Sequence, residues 1–134
     1  MKNPHTFELE MEVRDYECDI QGIVNNANYL HYIEHTRHKF IMTLGLSFTE
    51  LHNKGVDVVV ARMNLQYKTP LQSEDEFISR LSMTKEGLRY IFHQDIIRKK
   101  DNKMCLKAQV EAVCVINGRL GDSEEVKAAF ERYL

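Results

Sequence analysis

The chain opens on strict alternation. Phe7, Leu9, Met11 and Val13 fall on one face, and Glu8, Glu10, Glu12 and Arg14 on the other, the period of two that marks a half-buried strand. After Asn26 the period changes. Tyr29, Leu30, Ile33, Phe40, Ile41 and Leu44 lie on one arc of a helical wheel, which predicts a long amphipathic helix. Asn25 or Asn26 is placed to cap its start, and Gly45 to end it in a left-handed conformation. Ser47 to Asn53 predicts a short further helical piece closed by Gly55.

Alternation then returns. Val59, Ala61, Met63, Leu65 and Tyr67 are expected on one face, with Arg62, Asn64, Gln66 and Lys68 on the other. Pro70 breaks the run, and a third strand follows through Phe77, Leu81 and Met83. Lys85-Glu86-Gly87 turns the chain into Leu88, Tyr90 and Phe92. The last long strand carries Met104, Leu106, Ala108, Val110, Ala112 and Cys114 on one face. Asn117-Gly118 is a two-residue turn signal, and Asp122 and Glu125 are spaced as a capping box for a short terminal helix from about Ser123. One strand, one long helix and four further strands predict an α+β fold, in which a coiled antiparallel sheet of five strands wraps a single central helix.

Composition narrows the function classes. The 134 residues fit one domain, 1–134, with 43% hydrophobic and 28% charged residues, ordinary for a chain that builds one core. There is no room for a scaffold plus a separate catalytic domain, so a site must come from the core fold or from a second copy. A net charge of −2 argues against general nucleic-acid binding, which needs a basic surplus. No apolar run approaches a membrane span. MKNPHTFELE lacks the apolar stretch of a signal peptide, and Cys18, Cys105 and Cys114 form no CxxC pair; both lead to the expectation of a reducing, cytoplasmic setting. Cys105 and Cys114 sit in the strand pattern as small core residues.

The candidate chemistry lies in the connection from the first strand to the helix, residues 15–26, which holds Asp15, Glu17, Asp19, Gly22 and the Asn25-Asn26 pair. A helix N-terminus presents unpaired N–H groups and a positive partial charge, suited to polarising a carbonyl. A carboxylate held beside it can attack that carbonyl or activate water against it. Acidic residues at a helix start are also common caps, so the residue types alone leave catalysis and capping both open.

The run VRDYECDIQGIVNNANYLHYIEHTRHKF resembles the signature of hotdog-fold thioesterases of the 4-hydroxybenzoyl-CoA thioesterase type. The matching positions are Asp19, Gly22, Ile23, Val24, Asn28, Tyr29 and Leu30, and Tyr67-Lys68-Thr69-Pro70-Leu71 is similar to the family's Tyr-x-x-Pro-Leu. The resemblance implies a hotdog fold and hydrolysis of an acyl thioester. It puts Asp19 in the position of the catalytic carboxylate, as nucleophile or general base, and the Asn26 N–H in that of the oxyanion donor. Gly22, Ile23, Val24, Asn25 and Tyr29 fall at substrate-binding positions, with Gly22 letting backbone approach the thioester. Asn25-Asn26 stands where many bacterial members carry an aromatic pair. Val24-Asn25-Asn26, the Arg14-Asp15-Tyr16-Glu17 lead-in and His35, Arg37 and His38 are similar to plant single-hotdog acyl-ACP thioesterases instead. That shifts the expected substrate toward fatty-acyl chains on CoA or carrier protein.

His31, His35 and His38 share a helical face without the further ligands of a tetrahedral site, so no metal or cofactor is expected. Arg37 falls inside the apolar arc, and Glu34 is placed to pair with it. Cys18, with no base at a defined spacing, reads as a loop residue. Lys85, Arg89, Arg98, Lys99 and Lys100 form a modest basic cluster, and Lys85 and Arg89 are candidates to contact the phosphates of CoA or phosphopantetheine. A hotdog dehydratase or hydratase using His5, His52 or His93, and a non-catalytic acyl-CoA binding module, are the alternatives. Hotdog relatives join sheets edge to edge, which implies a homodimer or homotetramer through the second long strand.

Overall fold

The computed structural model describes residues 6–134. Helix α1, Asn26–Thr43, begins where Asn25 turns extended and its Oδ1 accepts the Ala27 N–H at 2.9 Å; an N-cap satisfies one of the orphan donors of the first turn. It stops at Leu44, followed by Gly45 at φ +76°. Tyr29, Tyr32, Ile33, Thr36, Arg37, Phe40 and Ile41 are its buried residues, at the 3–4 spacing of one face. A short helix α2 (Phe48–Asn53), capped by Ser47, leads into the sheet.

The strands are β1 (Phe7–Glu12), β2 (Val56–Tyr67), β3 (Glu76–Glu86), β4 (Arg89–Arg98), β5 (Met104–Ile116) and β6 (Arg119–Gly121). They form one antiparallel sheet in the order β1-β3-β4-β5-β2. Six strands replace the five expected. The Asn117-Gly118 turn, with both residues at positive φ, folds the chain back as β6, which pairs β5 at Cys114–Ile116 just past the end of β4. Helix α3 (Glu124–Phe130) is capped by Ser123, whose side chain accepts the Val126 N–H. The Asp122–Glu125 capping box does not form, because the Asp122 carboxylate is held by Lys85 and Tyr90 instead.

Strand β2 corrects the face assigned to it. A bulge between Val60 and Arg62 leaves Ala61 unpaired, and an extra residue inverts the alternation beyond it. Val58 and Val60, not Val59 and Ala61, therefore share the inner face with Met63, Leu65 and Tyr67, opposite the buried Cys114, Ala112, Val110, Ala108 and Leu106.

The inner face packs on α1 and α3. The Phe40 ring meets Phe7 at 5.5 Å, Phe92 at 6.5 Å, Phe130 at 6.2 Å and Tyr133 at 4.9 Å; such aromatic contacts add to the burial of their area. Polar groups in this layer are paired. Thr36 donates to the Tyr32 carbonyl, and the Ser79 hydroxyl meets Thr36 Oγ1 at 2.6 Å. Cys105 and Cys114 are buried, and burial pushes both thiols up.

Candidate active site

Between β1 and α1 the chain folds back on itself. Cys18 and Val24 pair as an antiparallel bridge, with the Asp19 N–H donating to the Ile23 carbonyl at 2.8 Å and the Gly22 N–H to the Asp19 carbonyl at 3.0 Å. Asp19 Oδ1 accepts the Gln21 N–H at 2.8 Å, an Asx turn. Gly22 has φ +80°, and a Cβ there would meet nothing within 4 Å. Glycine is thus required by the turn's left-handed dihedral rather than by crowding. The Asp19 side chain stands in solvent, and Ile20 at the tip is fully exposed.

Two anchors hold this loop. On one side the Val24 N–H donates to the Leu71 carbonyl at 2.9 Å, and Ile23 bridges to Gln72. On the other, Glu17 is only 7% exposed. Its Oε1 accepts the Arg14 N–H at 2.8 Å and the Tyr32 hydroxyl at 2.9 Å, and its Oε2 accepts the Arg14 guanidinium at 3.0 Å. Its carbonyl accepts the Asn25 N–H and the Asn28 side-chain amide. Burial together with the Glu17 carboxylate holds the Tyr32 phenol well above its ordinary value, so it remains a donor. Glu17 stood in the lead-in motif without a role, since nothing local shows that it points inward to a residue fifteen positions away.

The loop delivers the chain to the start of α1. The Asn26 N–H meets no protein acceptor among the described residues, as expected of a first-turn donor. The Tyr67 hydroxyl donates to the Asn26 carbonyl at 3.3 Å, and its ring packs edge-on against Tyr29 at 5.4 Å. Asn25 and Asn26 are exposed and Ile23 is half-buried. Val24 and Tyr29 are core residues; the Tyr29 hydroxyl accepts the Leu71 N–H at 2.9 Å and so braces the wall behind the loop. Loop, helix start and Tyr67 come together at one end of the sheet.

The basic cluster does not assemble. In the β3–β4 ladder Glu86 pairs Arg89 at one end and Phe77 pairs Arg98 at the other, a separation of about 30 Å at about 3.3 Å per residue. Lys85 bonds Asp122 at 2.5 Å, and Arg89 bonds Glu111 and Glu86. Both lie at the end of β3 remote from the Asp19 loop of the same protomer. Arg98 bonds Asp101 and the Pro70 carbonyl, and Lys99 and Lys100 meet Glu10 and Asp75. Sequence proximity brought these residues together, and the sheet separates them.

Glu34 is exposed and makes no ion pair with Arg37 within 4 Å among the described contacts. Arg37 Nη1 bonds Gln94 Oε1 at 3.0 Å instead. Burial lowers the Arg37 pKa, against a smaller opposing effect of the Glu34 charge. His31, His35 and His38 are exposed. His52 meets Asp57 at 2.7 Å and His93 meets Thr84 at 2.8 Å on other parts of the surface; His5 lies outside the described residues. Burial and the carboxylates of Asp15, Asp19 and Glu17 push the Cys18 thiol up, the reverse of an activated nucleophile. A cleft of about 600 Å³ lies along β1. It contains neither Asp19 nor Asn26, and the carboxylates Glu10, Glu12, Asp15 and Glu74 line it together with Arg14 and His35.

Residues 13–133 match the thioesterase-like superfamily, and the chain belongs to that family. It is 34% identical over 112 residues to the chloroplastic acyl-acyl carrier protein thioesterase ATL3 of Arabidopsis thaliana, covering 82% of this chain but 58% of the plant protein's own length. It is 28% identical over 129 residues to the acyl-CoA thioesterase YbgC of Haemophilus influenzae, covering 92% of this chain and 93% of that one. The 1,4-dihydroxy-2-naphthoyl-CoA thioesterase Slr0204 from Synechocystis superposes with a TM-score of 0.86 over 93% of this chain and 95% of its own, at 17% identity. That likeness establishes the hotdog fold. Among the described residues, no helix is long and apolar enough to cross a membrane.

Proposed function

We propose that this protein hydrolyses acyl thioesters of CoA or acyl carrier protein, with Asp19 as the catalytic carboxylate and the Asn26 N–H as the oxyanion donor. The observation that carries this reading is the loop itself. One short, doubly anchored turn presents an exposed carboxylate and runs directly into a helix start whose N–H meets no protein acceptor among the described residues. The names borne by the relatives support the substrate class.

The chemistry follows from the charge that develops. When a nucleophile adds to the thioester carbon, the carbonyl oxygen becomes an oxyanion, and a fixed N–H at a helix N-terminus stabilises it more than it stabilises the starting carbonyl. Removing one such donor costs about 3–4 kcal/mol of transition-state stabilisation. Asp19 either adds to the carbon, giving a mixed anhydride that water then cleaves, or takes a proton from water as the oxygen adds. In both routes the C–S bond breaks, the thiol leaves protonated and the carboxylate is restored.

The described chain carries half of such a site. Strand β2 is an edge strand, and Val59, Val60, Met63 and Tyr67 on it are exposed. A long apolar edge of this kind is a template for pairing. Pairing of β2 with the β2 of a second copy would join the two sheets, and a homodimer is the smallest assembly this reading allows.

The test is thiol release from a panel of acyl-CoAs by the wild type, Asp19→Ala and Asp19→Asn. Both variants are expected to remain folded and to lose at least about a hundred-fold in kcat. Full turnover by Asp19→Ala on the best substrate would remove Asp19 from the mechanism. Heavy oxygen from labelled water, traced to the Asp19 carboxylate or directly to the product acid, separates the anhydride route from the general-base route.

A further inference from the structure

A cleft of about 160 Å³ opens between α1, α2 and the inner face of β2, with apolar walls that include Ile41, Val58, Val60 and Phe92. An engineered cavity of about this size holds a benzene molecule, so there is room for roughly six carbons. Arg37, 8% exposed, lines this apolar space beside Glu34.

Arg37 is under-used by the protein. Its Nη1 bonds Gln94 Oε1 at 3.0 Å, and the Gln94 amide is held in that orientation because its Nε2 donates to the Ile33 carbonyl at 3.0 Å. Arg37 Nε and Nη2 have no acceptor among the described residues. Among the described residues no fully enclosed side-chain nitrogen is unpaired, so these two groups each keep some accessible surface, and Arg37 lines the cleft. Among the described residues Arg37 has no carboxylate in ion-pair contact; its one hydrogen-bond partner is Gln94. A guanidinium stripped of most of its water and given one amide oxygen is costly unless something else accepts from it.

We infer that Arg37 is a specificity residue, selecting acyl chains that carry a neutral oxygen, a hydroxyl or oxo group, near their far end. This rests on the thioesterase reading above. The guanidinium donates to that oxygen from the wall of a mostly apolar cleft, whose other polar lining residues are Glu34 and His38. Glu34, which also lines the cleft, disfavours a carboxylate there and can accept from a hydroxyl. Arg37 lies eleven residues beyond Asn26 on the same helix, about 16 Å along its axis. An extended chain of about fourteen bonds, at about 1.2 Å each, spans that distance from a thioester at the helix start.

The experiment is thiol release from matched series of saturated acyl-CoAs of increasing length, bearing a terminal methyl, hydroxyl, oxo or carboxylate group, with wild type, Arg37→Met and Arg37→Lys. The wild type is expected to favour the hydroxyl or oxo chain over its methyl counterpart by about ten- to a hundred-fold in kcat/KM, the scale of a hydrogen bond to a charged group. That ratio should fall toward one in Arg37→Met. Arg37→Lys, which keeps the charge without the planar fork, should lie between and serves if the methionine variant does not fold. The hydroxyl and oxo arms tell which group supplies the oxygen. Equal wild-type turnover of methyl and oxygen-bearing chains, or a ratio unchanged in both variants, would overturn the inference and leave the thioesterase reading intact. A preference for the carboxylate would also overturn it. Absence of thiol release from every member would instead sink the thioesterase reading on which it rests. Light scattering on the variants covers the competing case: a loss of self-association with the ratio retained would make Arg37 an interface residue and overturn the inference.

Discussion

The Tyr32 hydroxyl donates to the Glu17 carboxylate at 2.9 Å, inside the protein and across fifteen residues of sequence. This bond joins the second turn of α1 to the loop that presents Asp19. Because the Glu17 carbonyl also receives the Asn25 N–H and the Asn28 amide, one residue sets the loop's position relative to the helix start.

Glu17→Ala is therefore expected to leave Tyr32 without an acceptor and to destabilise the fold by about 2–3 kcal/mol. Glu17→Gln, which keeps an oxygen for Tyr32, should cost less. Urea unfolding at neutral pH measures both. On the proposed function, thiol release should show kcat falling more than KM rises, because Asp19 and the Asn26 N–H proposed as oxyanion donor lose their alignment.

Asn25→Ala removes the side chain that caps α1 and should cost about 1 kcal/mol, with Asn25→Ser restoring most of it. Thermal unfolding of the three proteins checks this order. Equal midpoints would show that the cap contributes nothing.

Acid should weaken the Asp101–Arg98 contact. The Arg98 hydrogen bond, helped by the Lys103 N–H and outweighing burial, holds the Asp101 carboxyl at about 2, below its unfolded value of about 3.9. The folded state thus binds this proton less readily than the unfolded one. The stabilisation is complete above about pH 4 and is lost as pH falls through about 2. In urea titrations the wild type should lose stability over that window faster than Asp101→Asn, and the two curves should converge at its acid end. Parallel curves would contradict the assignment.

Val60→Asp places a charge on the exposed inner face of the β2 edge. If β2 pairs with a second copy, light scattering should show a shift from dimer to monomer, since an edge charge opposes strand addition. An unchanged mass would place self-association elsewhere.

Local signals were read correctly where their cause is local. The Asn25 cap, the Gly45 end, the Ser47–Gly55 piece and the Asn117-Gly118 turn each depend on residues within a few positions of one another. The Asp122 capping box failed because Lys85 and Tyr90, more than thirty residues away, compete for its carboxylate. The β2 face failed because alternation counts residues, and a bulge at Ala61 changes the count without altering the apolar pattern. At the candidate site, the family motif marks Asp19, Gly22 and Asn26. Glu17 and Arg37 could be noticed as charged residues near apolar positions, yet their partners Tyr32 and Gln94 could not be named.

What the sequence by itself determined is the long helix, the five longer strands, their order and the irregular loop that leads from the first strand into the helix start, because period, caps and turns are properties of neighbouring residues. Tertiary structure alone decided the partners that lie far apart in the chain. It drew Arg37 to Gln94 across 57 positions, set Arg89 about 30 Å from Arg98 along one ladder, and left β2 at the sheet edge. Each of these depends on how strands pair and how the helix lies across them, and that long-range pairing is not written in any local period.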